Sequence, residues 1–170
     1  MTNLFRIILK ETVAAGASQT IGLSQSNIAL TATWQHTFFS AEVNSATGAQ
    51  IWIDGAEVTN SPYSTSGLAN FGVDPNTINF GQSGVGGRDR TGSLAEGAFW
   101  NRILSDAEII ILSKGFSPLF IPNGLYFYAP LIGRADPEVD LVGAISGTVT
   151  GATQFAHPRI IYPVPFSGIF

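Results

Sequence analysis

The sequence contains no cysteine, which removes disulfide frameworks, thiolate metal sites and thiol nucleophiles together. Charge is scarce as well. Asp, Glu, Lys and Arg make up 12% of the 170 residues, about half the ~25% usual for a soluble domain. The balance, 8 basic against 12 acidic side chains, offers no basic face for a nucleic acid backbone, so no nucleic acid partner is expected. Only His36 and His157 supply imidazole, and neither stands in a metal-ligand spacing or a nucleophile motif. No apolar run reaches the ~18 residues of a membrane helix. The run Leu4 to Leu9 is interrupted by Arg6 and followed by Lys10, too short for a signal peptide. The expectation is a soluble protein made in a cytoplasm, with no membrane insertion.

What is present points to a folded core. Hydrophobic residues reach 45%, with 12 Phe and 3 Trp, which excludes disorder, while 19 Gly and 9 Pro exclude a coiled coil or long bundle. At about 100 to 200 residues per domain, a single unit is expected, taken as residues 1–156 and followed by an extended apolar tail over 157–170. A chain of this size buries ~70% of its unfolded surface and needs no cross-links.

Short period-2 or apolar runs are broken by Gly, Pro, Asn and Ser about every ten residues, the rhythm of an antiparallel sandwich. Strands are expected at Leu4 to Lys10, Ile28 to Trp34, His36 to Val43, Gln50 to Ile53, Thr77 to Gly81, Leu94 to Trp100, Leu125 to Ile132 and Ala144 to Thr150. Asp54-Gly55 supplies the positive φ angles of a two-residue hairpin turn. That hairpin places Ile51 and Ile53 on one face and Trp52 on the other, so Trp52 is outside if the isoleucines face inward, unless the strand is covered by both layers. One short helix is expected near 105–114, opened by a capping box between Ser105 and Glu108 and closed at Gly115. Its apolar run is too continuous for a water-facing helix, so it should pack on the sheets. Pro163 and Pro165 stiffen the tail. Ile160, Ile161, Tyr162, Phe166, Ile169 and Phe170 together form more apolar surface than a soluble monomer tolerates, so the tail is expected to lie on its own domain or on a neighbour, and in the second case these are the partner-binding residues.

Four segments carry a resemblance: Trp34-Gln-His36, Ile51-Trp-Ile-Asp-Gly55, Ile78-Asn-Phe-Gly81, and Gly92-Ser-Leu-Ala-Glu-Gly-Ala-Phe-Trp-Asn-Arg-Ile-Leu-Ser-Asp-Ala-Glu-Ile109. Over residues 34–115 the chain resembles the laminin-G-like, concanavalin-A-like jelly rolls, especially those of bacteriophage and prophage structural proteins. The last of the four, Gly92 to Ile109, is the most specific; it is similar to the strand, Trp-Asn-Arg-x-Leu-Ser turn and short helix that close such domains. Gly115 to Pro118, Leu125 to Arg134 and His157-Pro158 look like the extension that follows this domain in phage-encoded chains. The resemblance implies an all-β antiparallel sandwich. It also implies a non-enzymatic virion structural protein, decorating or attached to capsid or tail. Its partners are other virion proteins and itself, as a homo-oligomer such as a trimer. Few residues precede Trp34 compared with such relatives, so the sandwich could be completed by another subunit.

Catalytic constellations are missing. Asp136, Glu138 and Asp140 alternate as acids, but jelly-roll glucanases place the third acid one residue later, and Pro137 opposes a central strand. The plain expectation is a solvated turn whose acids pair with Arg134 or Arg159. His36 reads as a structural histidine near a sheet edge, His157 as part of the tail's anchor. Trp34 and Trp100 read as core. The alternative function is a lectin-like module for host or surface glycans, with Trp52, Asn76 and Arg88 as binding residues. No cofactor is expected; Asp74, Asn76 and Asp89 are the loop residues with oxygens suited to calcium, although Asp-Pro-Asn is first a turn sequence.

Overall fold

The computed structural model describes residues 4–12, 18–26, 33–41, 49–58, 61–64, 92–133, 136–143 and 145–164. They fall into two compact units, one of Met1–Asp74 with Ile103–Lys114, the other of Pro75–Arg102 with Gly115–Phe170.

The first unit holds two three-stranded antiparallel sheets. In one, β1 (Leu4–Thr12) pairs with β2 (Ser18–Ser26) from Leu4↔Ser26 to Thr12↔Ser18. The far side of β2 pairs with β6 (Ser61–Ser64). Pro62 sits in β6, and an edge strand is where a residue without an N–H is tolerated. The Gly- and Ser-rich β2 was not anticipated; it supplies a strand before Trp34 that the short N-terminal stretch had put in doubt. In the other sheet, β3 (Thr37–Ala41) pairs with β4 (Ala49–Ile53), which continues into β5 (Ala56–Glu57). Aromatic and β-branched residues concentrate in β3 and β4, as a half-buried pleated surface favours.

The β4–β5 connection is the expected two-residue turn, with φ of 51° at Asp54 and 81° at Gly55. Asp54 also closes the β3 end: its N–H donates to the His36 carbonyl and its carboxylate accepts the His36 N–H, both at 2.9 Å. A Cβ at Gly55 would lie 2.4 Å from Ser113 Oγ, a hydroxyl already donating to the Ile110 carbonyl. Gly55→Ala should therefore destabilise the protein by about 1–2 kcal/mol in urea unfolding, from left-handed backbone strain plus this approach.

Helix α1 (Asp106–Ser113) has the expected capping box: Ser105 N–H donates to Glu108 Oε2 at 2.8 Å, and Glu108 N–H returns to Ser105 Oγ. Leu104 and Ile109, the staple pair, are both buried. The helix is not covered all round, however. Ile109 and Leu112 form its buried side, whereas Ile110 and Ile111 are exposed. An apolar run of four at 100° per residue spans more than one face.

In the second unit, β7 (Gly97–Trp100) pairs antiparallel with β8 (Leu125–Ala129), and Phe99 meets Phe127 with ring centroids 5.8 Å apart. Trp100 Nε1 donates to the Ile121 carbonyl, and a 3₁₀ turn over Pro118–Phe120 leads into β8. Leu125, Phe127, Tyr128 and Ala129 are buried while Tyr126 faces out. The strand stops at Ala129, short of the expected Ile132, because Pro130 has no N–H and Leu131 turns at positive φ. A small ribbon, β9 (Glu138–Val139) with β10 (Ser146–Gly147), follows; it is all that forms of the strand expected over Ala144 to Thr150. Residues 28–32 and the strand expected at Thr77 to Gly81 lie outside the described residues. Trp34 is more exposed than a core residue.

Candidate functional site

Two constellations deserve a functional reading, one in each unit. The first lies on the sheet of β3, β4 and β5. The register Phe38↔Trp52 and Trp52↔Glu57 sets Phe38, Ser40, Gln50, Trp52 and Glu57 on one face of the pleat, with His36 and Asp54 continuing its rows. At the rim, Gln50 Nε2 donates to Glu57 Oε1 at 3.1 Å. Trp52 is not outside as the hairpin pattern suggested. It is 6% exposed and its neighbour Ile51 is fully buried, so β4 is covered on both faces. Trp52 Nε1 and His36 Nδ1 are both buried and have no hydrogen-bond partner. Burial lowers the His36 pKa against the opposing pull of Asp54, favouring a neutral ring. Buried N–H groups are paired in the great majority of folded proteins, so two sealed, unpaired polar atoms on one face are a cost that this sheet carries.

The second constellation is a polar cluster around Glu96. This residue precedes β7 in a left-handed conformation, φ 60°, and its N–H donates to the Pro130 carbonyl at 3.1 Å. Glu96 Oε2 accepts from the Tyr128 hydroxyl at 2.6 Å, and Oε1 accepts from the Tyr162 hydroxyl at 3.3 Å. His157 Nε2 lies 3.1 Å from the same Oε1. Ser117 Oγ, fully buried, donates to the Tyr128 oxygen. Burial raises the Glu96 pKa, and the Tyr128 hydroxyl, the His157 charge and the Tyr162 hydroxyl offset that only in part. Burial and the Glu96 carboxylate likewise push the Tyr128 hydroxyl far up. Tyr162 also moves up, chiefly by burial.

This cluster seats the C-terminal segment. Ile161 forms a parallel bridge with Phe116: its N–H donates to the Gly115 carbonyl at 2.8 Å, and Ser117 N–H donates to its carbonyl at 2.9 Å. Of the expected partner-binding residues, Ile160 and Tyr162 are half-buried and the Ile161 side chain is exposed; Phe166, Ile169 and Phe170 lie outside the described residues. His157 does stand at the base of this strap.

Of the acids of the 136–140 stretch, Asp136 is exposed as a solvated turn would have it, Asp140 is not, and Arg134 lies outside the described residues. Asp136 accepts from Val149 N–H and Glu138 from Gly133 N–H. Asp140 is 6% exposed, and its Oδ1 accepts from the Tyr128 and Val142 N–H groups, both at 3.0 Å. Burial alone would raise the Asp140 pKa, but backbone N–H groups led by those of Tyr128 and Val142 outweigh it and hold the carboxyl below its usual range. Asp140 is thus the organiser of the turn after β9, with a conformation tight enough that a Cβ at Gly143 would sit 2.4 Å from Asp140 Oδ2. Asp74, Asn76, Arg88 and Asp89 lie outside the described residues. No group of three or more His, Asp or Glu among the described residues could hold a metal ion.

Sequence reasoning missed Glu96, Tyr128 and Ser117. The nearest signal was that Glu96 sits inside the most specific resembling segment.

Residues 5–110, well over half of the chain, match the family model of a laminin G type described as the concanavalin A-like lectin/glucanases superfamily. No curated protein and no solved structure matches the chain.

Proposed function

Because the chain belongs to the concanavalin A-like lectin/glucanases superfamily, whose all-β antiparallel sandwich class its strands fit, we propose that it is a non-catalytic binding module that attaches to other proteins of a bacteriophage particle through its C-terminal strap. Family membership supports a binding or structural role; the particle context rests on the resemblance of residues 92–109 and of the segments after Gly115 to phage-encoded chains. The observation that carries the attachment is the strap itself. Its inner side is pinned by His157 and Tyr162, while its outer side presents Ile161 and, at 94% exposure, Val164. Phe155, just before it, is also exposed.

Covering an aliphatic side chain of this size contributes about 1.5–3 kcal/mol before association entropy is charged against it. Repetition on a symmetric shell multiplies a modest contact by avidity, and a homo-oligomer such as a trimer would present several straps at once. The candidate sites also favour binding over catalysis. Every acid of the 136–140 stretch is committed to backbone N–H groups, and Ser117 is sealed from solvent. Calcium has no support beyond the loop residues Asp74, Asn76 and Asp89, which remain its proposed position should the loops take an ion.

The test changes the outer side of the strap without touching its inner contacts. Val164→Asp, alone and with Ile161→Asp, should leave the β-rich circular dichroism spectrum intact and abolish co-sedimentation with particles and self-association by native mass. Wild-type incorporation of both variants would refute the reading. In the second reading, a glycan-binding module, Trp52 is buried and Asn76 and Arg88 lie outside the described residues, so Trp52 could contact a sugar only if the β3–β4–β5 face opened.

A further inference from the structure

We propose that the strap over residues 157–162 is a proton-dependent latch: it stays seated while a proton is held between His157 and Glu96, and it is released as rising pH removes that proton. The inference deepens the attachment reading, and rests on it, by assigning a control to the same segment.

The argument is one of hydrogen-bond inventory. A neutral imidazole has one N–H and one bare nitrogen; only the doubly protonated ring donates from both. His157 Nδ1 lies 2.9 Å from the Pro158 carbonyl oxygen, and Nε2 lies 3.0 Å from the Pro130 carbonyl oxygen and 3.1 Å from Glu96 Oε1. Carbonyl oxygens only accept. In either neutral tautomer one bare nitrogen points its lone pair at oxygen, Nδ1 at Pro158 or Nε2 at Pro130 and the Glu96 carboxylate. All three contacts are served by a ring that carries both protons, and a proton on Glu96 Oε1 relieves the Nε2 clash. Either way the seated strap favours one proton more than a neutral ring beside an ionised carboxylate holds. Side-chain exposures of 22% for His157 and 14% for Glu96 mean that little water is at hand to take the proton's place.

The other ionisable groups facing this gap agree with that sign. From β8, Tyr128 donates to Glu96 Oε2; from the strap itself, Tyr162 donates to Oε1. Both are proton donors, and neither introduces a negative charge below strongly alkaline pH. Arg159 is exposed. The raised Glu96 pKa points the same way. A carboxyl that holds its proton more tightly in the folded state contributes stability at low pH that is lost as pH rises through the folded value. Acid therefore tightens the latch and alkali loosens it.

The seat is linked to the strap backbone through Ser117, whose hydroxyl bonds Tyr128 and whose N–H bonds Ile161. Proton loss in the gap should therefore be read at the Ser117 and Ile161 amides. The experiment uses the free chain, with no particle present. Long-range proton–nitrogen spectra of the two histidines report their ring protons, with His36 as the internal neutral reference, while hydrogen exchange corrected for intrinsic rate reports amide protection. The expected result is that His157 or its Glu96 gap holds the extra proton while the strap is protected. Protection of Ser117 and Ile161 should fall by up to about tenfold per pH unit over the range in which the seated strap still holds that proton and the open strap has lost it, and level off above it. In His157→Gln, protection should be lower and flat with pH.

The latch is overturned if His157 titrates while protection at both amides stays constant, or if His157→Gln keeps the wild-type profile. Should the variant fail to fold, the wild-type titration decides by itself. Failure of particle binding leaves the latch standing, and a pH-independent strap leaves the attachment reading standing.

Discussion

Glu96→Ala is expected to lower the unfolding free energy by about 3–5 kcal/mol, the usual cost of removing one partner from a buried charge pair. The truncation takes the acceptor from the Tyr128 hydroxyl and removes one contact each from Tyr162 and from His157, which keeps the Pro130 carbonyl. Tyr128 is fully buried, so its freed hydroxyl is left with Ser117 alone. The backbone allows a finer test. Residue 96 sits at φ 60°, where any side chain with a Cβ is strained and glycine is not. Glu96→Gly should consequently be about 1 kcal/mol less damaging than Glu96→Ala, although it deletes the same acceptors. Equilibrium urea unfolding of the two variants beside wild type separates the terms. If alanine and glycine were equally harmless, the cluster would be ornament and the strap would be held by the Phe116–Ile161 bridge without it.

The same residues show which parts of the molecule could be read in the sequence. The Asp54-Gly55 turn, the Ser105–Glu108 capping box and the segment closing at Leu104 were legible because each is decided within a few neighbouring residues. The family itself was legible for the same reason, its most specific segment being continuous. Trp52 was not. Alternation predicts which side of β4 it takes, but whether that side is open depends on what lies over the sheet, and one strand carries no record of a second layer. Glu96 was illegible in a stronger sense. Its partners stand 32 and 66 residues further on, and an acid surrounded by Leu94, Gly97 and Phe99 resembles any solvated loop acid until the chain returns. Asp140 misled in the opposite direction, since three acids in alternation suggest a charged turn, whereas the fold spends them on backbone N–H groups.

Trp52→Ala should cost about 3–5 kcal/mol, as emptying a site of this size in a packed core does. Trp52→Phe should cost much less, for a reason specific to this site. The buried Nε1 has no partner, and an unsatisfied buried donor is itself worth roughly 1–3 kcal/mol of destabilisation. Phenylalanine removes that burden while leaving most of the ring volume in place. The two substitutions then decide what the unpaired N–H is for. If the β3–β4–β5 face opens to bind a glycan and so uncovers the sealed indole N–H, wild type should show saturable binding on a glycan array. Trp52→Phe should lose affinity while remaining as stable as wild type or nearly so, because only the donor is gone. His36→Phe, which deletes the second unpaired polar atom, should weaken binding in parallel. If no sugar binds and Trp52→Phe is as destabilising as Trp52→Ala, the indole is a packing element whose shape, not its N–H, was selected. The face then passes out of consideration as a binding surface, and the outer side of the strap, with Ile161 and Val164, is the surface left to test.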